Sequence, residues 1–228
     1  MGTLEGYQPS FDGDSGAGLP AKAAPALRLY GTTTSPYTRK IRVLARAAGL
    51  EVVFVDTRTE EGAAALARIA PLGKVPVVEL PSEPASRVLP DSGLIAAWLW
   101  TEHAPALRAA GFMEGPSDRQ AAWAERELFI VVEGALDAAI NRFYLLRDQL
   151  PDMGYVTRQR HRLETALAWL EARMPAFGRP VSPPALSLGC ALDWMVFRGT
   201  TDVARYPRLS AFREAWAASG IGADTEPG

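Results

Sequence analysis

The amino-acid sequence predicts a small α/β domain followed by an all-helical domain. Short apolar runs alternate with stretches of helical periodicity between Leu27 and Glu102, and such alternation is typical of a compact domain with a mixed sheet. After Gly115 the strand patterning stops and long amphipathic stretches follow. The length of 228 residues fits one large domain or two small ones. A content of 48% hydrophobic and 22% charged residues is that of a folded globular protein.

The opening stretch differs in composition from the rest of the chain. Residues 1–26 are rich in Gly, Pro, Ser and Ala and carry few hydrophobic side chains, so they cannot bury enough apolar surface to order themselves. We therefore predict a flexible extension at 1–26, an α/β domain at 27–102, a linker at 103–116 and an all-helical domain at 117–228.

The α/β domain is predicted to contain four strands and three helices. The strands are expected at 27–30, 52–55, 76–80 and 87–89. The first helix follows Ser35 and closes at Gly49, and its polar face carries Arg39, Lys40, Arg42 and Arg46. The second begins with a capping box of Thr57 and Glu60 and reaches about residue 69. The third spans 92 to about 102.

The second half is predicted to be helical throughout. A capping box of Ser117 and Gln120 starts a long helix that runs toward residue 146 and bends near Gly134. Further helices are expected at 157–174, 183–197 and 209–217. Cys190 lies among apolar neighbours in the helix at 183–197 and is predicted to be an inert core thiol, because a reactive one needs an exposed, electropositive setting.

Composition and charge argue against several classes of function. Lys plus Arg number 24 and Asp plus Glu 26, and this balance argues against nucleic acid as the main ligand, because phosphate binding needs clustered positive charge. The single cysteine cannot form an intramolecular disulfide, and the two histidines, His103 and His161, lack the spacing of metal ligands. No apolar run approaches the roughly 20 residues of a membrane span, and the first residues do not resemble a signal peptide. We expect a cytoplasmic protein without a metal, a nucleic-acid partner or a membrane partner.

Ser35 is the first candidate for chemistry. It lies between a predicted strand and an immediate helix, in the stretch Thr34-Ser35-Pro36-Tyr37-Thr38. A helix N-terminus presents unpaired N–H groups and the positive end of a dipole, so it favours a bound anion such as a thiolate. The alternative is that Ser35 only caps its helix, since serine is a preferred N-cap residue.

Two further motifs stand at the edges of predicted strands. Gly73-Lys74-Val75-Pro76 precedes the third strand, and Asp91-Ser92 opens the third helix. Taken alone, Lys74 reads as a solvated loop lysine, and Asp91 or Ser92 as a helix cap. Each motif by itself is weak evidence of function. The order and spacing of the motifs together are a fairly specific signal.

With these motifs in this order, the chain resembles the glutathione transferases. Residues 27–102 are similar to their thioredoxin-fold domain, and the second half is similar to their all-helical domain. Ser35-Pro36-Tyr37-Thr38-Arg39-Lys40 resembles the serine-type bacterial motif. The resemblance implies that Ser35 is the catalytic residue, with Thr34 a weaker candidate.

The resemblance also assigns a binding role to the other two motifs. It implies a cis bond before Pro76, so that the main chain of Val75 pairs with the cysteinyl part of glutathione and Lys74 lies near its glycyl carboxylate. Asp91 would face the α-ammonium of the γ-glutamyl group, and Ser92 would receive its α-carboxylate. Glutathione is then the co-substrate, and no metal or nucleotide is needed.

The late helices support the resemblance with one departure. The stretches 190–194, 197–198 and 206–209 look like the corresponding parts of bacterial transferases. Members usually carry a Ser/Thr-x-x-Asp box at the start of the buried helix, whereas here Ser182 is followed by Ala185 in the aspartate position. Loss of that reciprocal cap costs on the order of 1 kcal/mol, which proline in the first turn partly offsets.

Aromatic side chains could form a second-substrate pocket. Tyr37 lies at the junction of loop and helix, and the long helix of the second half carries Trp123, Phe129, Phe143 and Tyr144. Aromatic residues at helical spacing are more often part of a core.

The predicted function is glutathione transfer to a small apolar electrophile in a homodimeric detoxification enzyme. A glutathione-dependent lyase, etherase or dehalogenase would share the same residues and differ in the second pocket. A peroxidase or disulfide reductase is disfavoured because no cysteine lies near Ser35. A non-catalytic binding module with the same fold is the alternative outside enzymes.

Overall fold

The computed structural model describes residues 27–81, 86–149 and 154–228, so the predicted extension at 1–26 lies outside the described residues. The sheet of this part of the chain has the strand order β2-β1-β3-β4. Its strands are β1 (Leu27–Gly31), β2 (Val52–Asp56), β3 (Val77–Leu80) and β4 (Arg87–Pro90). β1 is parallel to β2, whereas β3 is antiparallel to both of its neighbours. This mixed sheet confirms the thioredoxin-like α/β domain.

Three helices complete this domain: α1 (Pro36–Ala47), α2 (Glu60–Ile69) and α3 (Ser92–Ala109). The capping box predicted for α2 is wrong. Thr59, not Thr57, caps the helix, and its Oγ1 accepts a hydrogen bond of 3.0 Å from the N–H of Gly62. Because β2 runs on to Asp56, Thr57 lies in the turn directly after the strand, where its hydroxyl donates to the main-chain oxygen of Gly31.

The third helix extends into the predicted linker. α3 continues to Ala109 past Pro105, and the chain kinks at His103, where φ is −127°. Leu107 is fully buried and holds the part after the kink against the core. Residues 104–109 are therefore helical, and the boundary between the two domains stays a prediction.

The second half contains α4 (Arg119–Arg147), α5 (Gly154–Arg173), α6 (Pro183–Phe197), a short 3₁₀ turn (Val203–Arg205) and α7 (Pro207–Ala218). The capping box predicted for α4 is also wrong, because the carboxylate of Asp118 accepts from the N–H of Ala121 at 2.8 Å and the helix begins one residue later than Ser117 would allow. α4 runs through Gly134 as one helix.

One hydrophobic core joins the two halves, with α6 at its centre. Most side chains of α6 are buried, including Leu188, Cys190 and Leu192. Ser182 still caps this helix, since its Oγ accepts from the N–H of Ala185 at 3.4 Å. α6 packs on both α4 and α1, so it fixes the helical half against the sheet domain. None of the described helices is long and apolar enough to cross a bilayer.

Candidate active site

The register of the sheet brings the three sequence motifs to one end of it. Three adjacent strands are in register at this end, because Tyr30 of β1 pairs with Val77 of β3 and Val77 pairs with Pro90 of β4. Ser35 follows β1, Val75 precedes β3 and Asp91 follows β4. Because neighbouring strands are about 4.8 Å apart, the three motifs lie side by side at this end.

Ser35 caps α1 and keeps its hydroxyl proton available. Its Oγ accepts a hydrogen bond of 3.2 Å from the N–H of Thr38, and its own N–H donates to the main-chain oxygen of Thr32. A hydroxyl has one donor and two acceptor positions, and capping uses only an acceptor. Within the described chain we find no acceptor for the Ser35 proton. Capping the helix and donating to a ligand are therefore compatible.

The start of α1 is held close to the end of β1. A Cβ atom on Gly31 would lie 2.5 Å from Cγ2 of the buried Thr38, so only glycine permits this approach. The first turn of α1 contains no acidic residue. The positive end of the helix dipole therefore meets no acidic side chain of its own first turn, which favours an anion beside Ser35.

Val75 offers free main-chain groups. The Val75–Pro76 peptide bond is cis, as the resemblance implies, and Pro76 is buried. Neither the N–H nor the C=O of Val75 is hydrogen-bonded to any residue in the ranges described. Unpaired main-chain groups beside a strand can bind an extended peptide. Lys74 is exposed next to them.

Asp91 adopts a backbone conformation that is rare outside glycine. Its φ is 78° and its ψ is 137°, which costs about 1 to 3 kcal/mol, and such outliers cluster at functional sites. Its Oδ1 accepts from the N–H of Gly93 at 2.7 Å, so the carboxylate caps α3. The carboxylate is exposed and has lone pairs to spare for a ligand cation. Ser92, which follows, is buried at the helix start.

The hydroxyl of Tyr37 is hydrogen-bonded to the helical half of the protein. Its hydroxyl donates to Oδ1 of Asp137 in α4. Burial, together with this hydrogen bond, holds the pKa of Tyr37 far above its ordinary value. The phenol therefore stays neutral at physiological pH, and its proton is already used in the hydrogen bond to Asp137.

Two cations of α1 that the sequence placed on a polar face are buried instead. Arg39 is 3% exposed and pairs with Asp193 of α6 at 2.7 Å. Lys40 is 6% exposed and pairs with both carboxylate oxygens of Glu133 in α4 at 2.8 Å. Nothing local in the sequence indicates these pairs, because the partners are 154 and 93 residues away.

The aromatic side chains predicted to line a second-substrate pocket do not all lie close to one another. Tyr144 is half exposed and lies two helical turns beyond Asp137 on α4, on the same face. Phe143 packs edge-on against the ring of Trp194 at 5.7 Å. Trp123 precedes Asp137 by about 21 Å along the helix axis at 1.5 Å per residue. The structure therefore does not bring Trp123 next to Tyr37.

Two other predicted features can be placed. Thr34 lies in the loop before Ser35, with its Oγ1 3.3 Å from Oγ1 of Thr32. Burial raises the pKa of Cys190 to about 12 and the side chain is fully buried, which confirms an inert core thiol. In the part of the chain that the structure describes, no group of His, Cys, Asp and Glu side chains is arranged to hold a metal ion.

Comparison with protein families gives one match. Residues 29–107 match the family model for the N-terminal domain of glutathione S-transferases. A search of curated proteins gives no match.

Solved structures share the whole two-domain fold. A glutathione S-transferase from Methylobacterium radiotolerans, in complex with glutathione sulfonate, has 26% sequence identity and a TM-score of 0.74, covering 89% of this chain and 95% of that chain. One from Methylobacillus flagellatus with glutathione bound has 26% identity and a TM-score of 0.73, covering 89% and 100%. A maleylacetoacetate isomerase from Anaeromyxobacter dehalogenans with glutathione in its active site has 26% identity and a TM-score of 0.66, covering 89% and 95%.

Proposed function

We propose that this protein is a serine-type glutathione transferase that ionises the glutathione thiol at Ser35. The observation that carries the proposal is the convergence of three incompletely satisfied groups at one end of the sheet: the hydroxyl proton of Ser35, the main chain of Val75 and the carboxylate of Asp91. The match of residues 29–107 to a transferase domain and the glutathione bound in similar structures support it.

Each part of the tripeptide has a complementary group in this arrangement. The cysteinyl unit pairs as an added strand with the free N–H and C=O of Val75. The γ-glutamyl unit places its α-carboxylate at Ser92 and the N-terminus of α3, and its ammonium at the exposed carboxylate of Asp91. The glycyl carboxylate lies near the exposed ammonium of Lys74. With both ends held, the sulfur lies at the start of α1.

The chemistry follows from the setting of the sulfur. An unperturbed thiol has a pKa of about 8.5, so only a few per cent is ionised at neutral pH. A hydrogen bond donated by the Ser35 hydroxyl and the positive end of α1 both favour the thiolate, and they lower that pKa. The thiolate then forms a bond to the electrophilic carbon of an apolar second substrate, and a leaving group departs with its electron pair. The thiol proton passes to solvent.

A conjugation assay tests the proposal. The full chain is incubated with glutathione and a small aryl halide, and the thioether product is followed by mass spectrometry. We expect enzyme-dependent formation of the conjugate and retention of the chain on immobilised glutathione. A chain that neither binds glutathione nor accelerates conjugation would be a non-catalytic module with this fold.

Glutathione-dependent isomerisation is a second candidate. The similar maleylacetoacetate isomerase with glutathione in its active site favours it, and the same thiolate would add to a conjugated double bond and leave again after rotation. The two reactions differ in glutathione balance, because transfer consumes one glutathione per product and isomerisation regenerates it. Measuring residual thiol after turnover of an unsaturated diketo acid distinguishes them.

We further propose that the protein is a homodimer. Trp123 and Ile130 are 60% and 67% exposed and lie seven residues apart on the same face of α4. Large apolar side chains exposed on one face of a helix favour burial against a partner. Light scattering is expected to give twice the chain mass, and Trp123→Glu is expected to reduce it toward that of one chain.

A further inference from the structure

The residues after α7 return to the N-terminal domain and lie along α1. Three arginines of α1, spaced three and four residues apart on one face, hold this 220–228 segment by its main chain: Arg39, Arg42 and Arg46. Arg46 donates to the oxygens of Ile221 and Ala223, and Arg42 donates to that of Asp224 at 2.9 Å. These bonds are directed to carbonyl groups, so they fix the path of the segment more than the identity of its side chains.

The first part of the 220–228 segment is packed against the protein, whereas its tip, residues 226–228, is not. Ile221 and Thr225 are buried, and Thr225 accepts from Nε of Arg39 at 3.2 Å. Beyond Thr225, residues 226–228 are partly or fully exposed. Glu226 and Pro227 border a cavity of about 290 Å³ between the segment, α6 and α7. Packing therefore holds the tip only weakly, and its position depends on hydrogen bonding.

The tip is joined to the loop that carries Ser35. The hydroxyl of Thr33 donates to the main-chain oxygen of Gly228. Thr33 is the second residue of the turn 32–35, which the N–H of Ser35 closes by donating to Thr32 at 3.2 Å. The turn is thus anchored from outside the N-terminal domain, two residues before the proposed catalytic hydroxyl.

We propose that residues 226–228 position this turn through Thr33, and that Thr33 is a positioning residue for the Ser35 hydroxyl in the function proposed above. Ser35 can stabilise a thiolate only if its donor is held at hydrogen-bond distance from the sulfur. Releasing Thr33 leaves the turn with the bond from Ser35 to Thr32 and the capping bonds between Ser35 and α1, so the hydroxyl spends less time in the productive position. The groups proposed to bind glutathione, on Val75, Asp91 and Ser92, lie next to β3 and β4 and do not depend on this contact.

The test uses Thr33→Val, which keeps the shape of the side chain and removes the donor, with Thr33→Ser as the matched variant that keeps it. For Thr33→Val we expect kcat at neutral pH to fall by about tenfold, in line with the cost of imprecise positioning. We expect KM for glutathione to stay within about twofold, because the binding groups are untouched. With glutathione saturating, the pH at which kcat is half-maximal rises, because kcat reports the pKa of the bound thiol. Thr33→Ser restores the wild-type profile.

The outcomes separate this inference from the proposed function. If the wild type is active and depends on Ser35 while Thr33→Val has the wild-type pH profile and kcat, the inference is overturned and the function stands. If Thr33→Val raises KM alone, or Thr33→Ser fails to restore activity, the donor contact is not what positions the turn, and the inference is likewise overturned. A wild type without glutathione-dependent activity overturns both. Thermal unfolding of each variant confirms that it is folded.

Discussion

Arg39 of α1 and Asp193 of α6 form an ion pair of 2.7 Å that is almost completely buried where the two halves of the chain meet. Asp193 also accepts from Nε of Arg213 at 2.8 Å and from the indole N–H of Trp216 at 3.1 Å. One carboxylate therefore joins α1, α6 and α7. α1 begins directly after Ser35, the proposed catalytic residue, so this contact couples the placement of that end of the N-terminal domain to the helical half.

Asp193→Ala is expected to destabilise the fold strongly. The substitution leaves the guanidinium of Arg39 buried without its carboxylate, and breaking a buried pair on one side costs about 3 to 5 kcal/mol. Urea denaturation measures the loss. The exposed pair of Arg147 and Asp148 provides the control, since Asp148→Ala is expected to leave the unfolding midpoint unchanged. Equal stability of the two variants would contradict the buried contact.

Tyr37→Phe is expected to reduce stability at neutral pH and leave catalysis alone. The lost hydrogen bond to Asp137 is worth about 1 kcal/mol. Because the folded state raises the pKa of Tyr37 above 10.0, its stabilisation is complete below that value and declines as pH rises past it. The difference between wild type and variant, measured by urea denaturation at neutral pH and at about pH 10.5, should therefore shrink at the higher pH. A shifted pH profile of kcat in the variant, measured with glutathione saturating, would mean that Tyr37 takes part in thiol activation.

Cys190 is expected to be unreactive in the folded protein. Its side chain is fully buried and burial raises its pKa to about 12, so almost none is thiolate at pH 8. A chromogenic disulfide reagent should detect no thiol in the native protein and one per chain in denaturant, since the sequence has one cysteine. Rapid reaction of the native protein would contradict the position of this helix.

Asp91→Gly separates binding from stability. Glycine adopts the φ of 78° at Asp91 without strain and is an acceptable N-cap, so stability should change by less than about 1 kcal/mol. The variant lacks the carboxylate that we propose to face the glutathione ammonium, and a charge-assisted hydrogen bond is worth about 1.5 to 3 kcal/mol. Calorimetry is expected to show a roughly 10- to 100-fold higher Kd. An unchanged Kd would remove Asp91 from the binding site.

Local sequence patterns predicted the elements and the three motifs because each depends on neighbours in the chain. The helix at 183–197 was predicted within its observed bounds, since its proline start and continuous apolar run are local features. The choice between Thr57 and Thr59 as a cap depends on where β2 ends, and that is decided by pairing with β1. The sequence predicted a linker from residue 103, yet burial of Leu107 keeps the chain helical as far as Ala109.

The contacts that build the site across domains could not be predicted in this way. The cations Arg39 and Lys40 have the spacing of a solvated face, and only the packing of α1 against α4 and α6 buries them beside carboxylates. The contact of Thr33 with Gly228 joins residues 195 positions apart. The same limitation applies to Trp123. Helical periodicity indicates the face of α4 on which Trp123 lies, but not its distance from Ser35.

The most direct test of the account is the thiol pKa of bound glutathione in wild type and Ser35→Ala, followed by thiolate absorbance over pH. Ser35→Ala also removes a helix cap worth about 1 kcal/mol, so Thr59→Ala, which removes the cap of α2, is the matched control. The account predicts a bound thiol pKa well below about 8.5 in the wild type and in Thr59→Ala, and a value raised by about one unit or more, with lower kcat, in Ser35→Ala. An identical thiol pKa in all three proteins would contradict activation by Ser35.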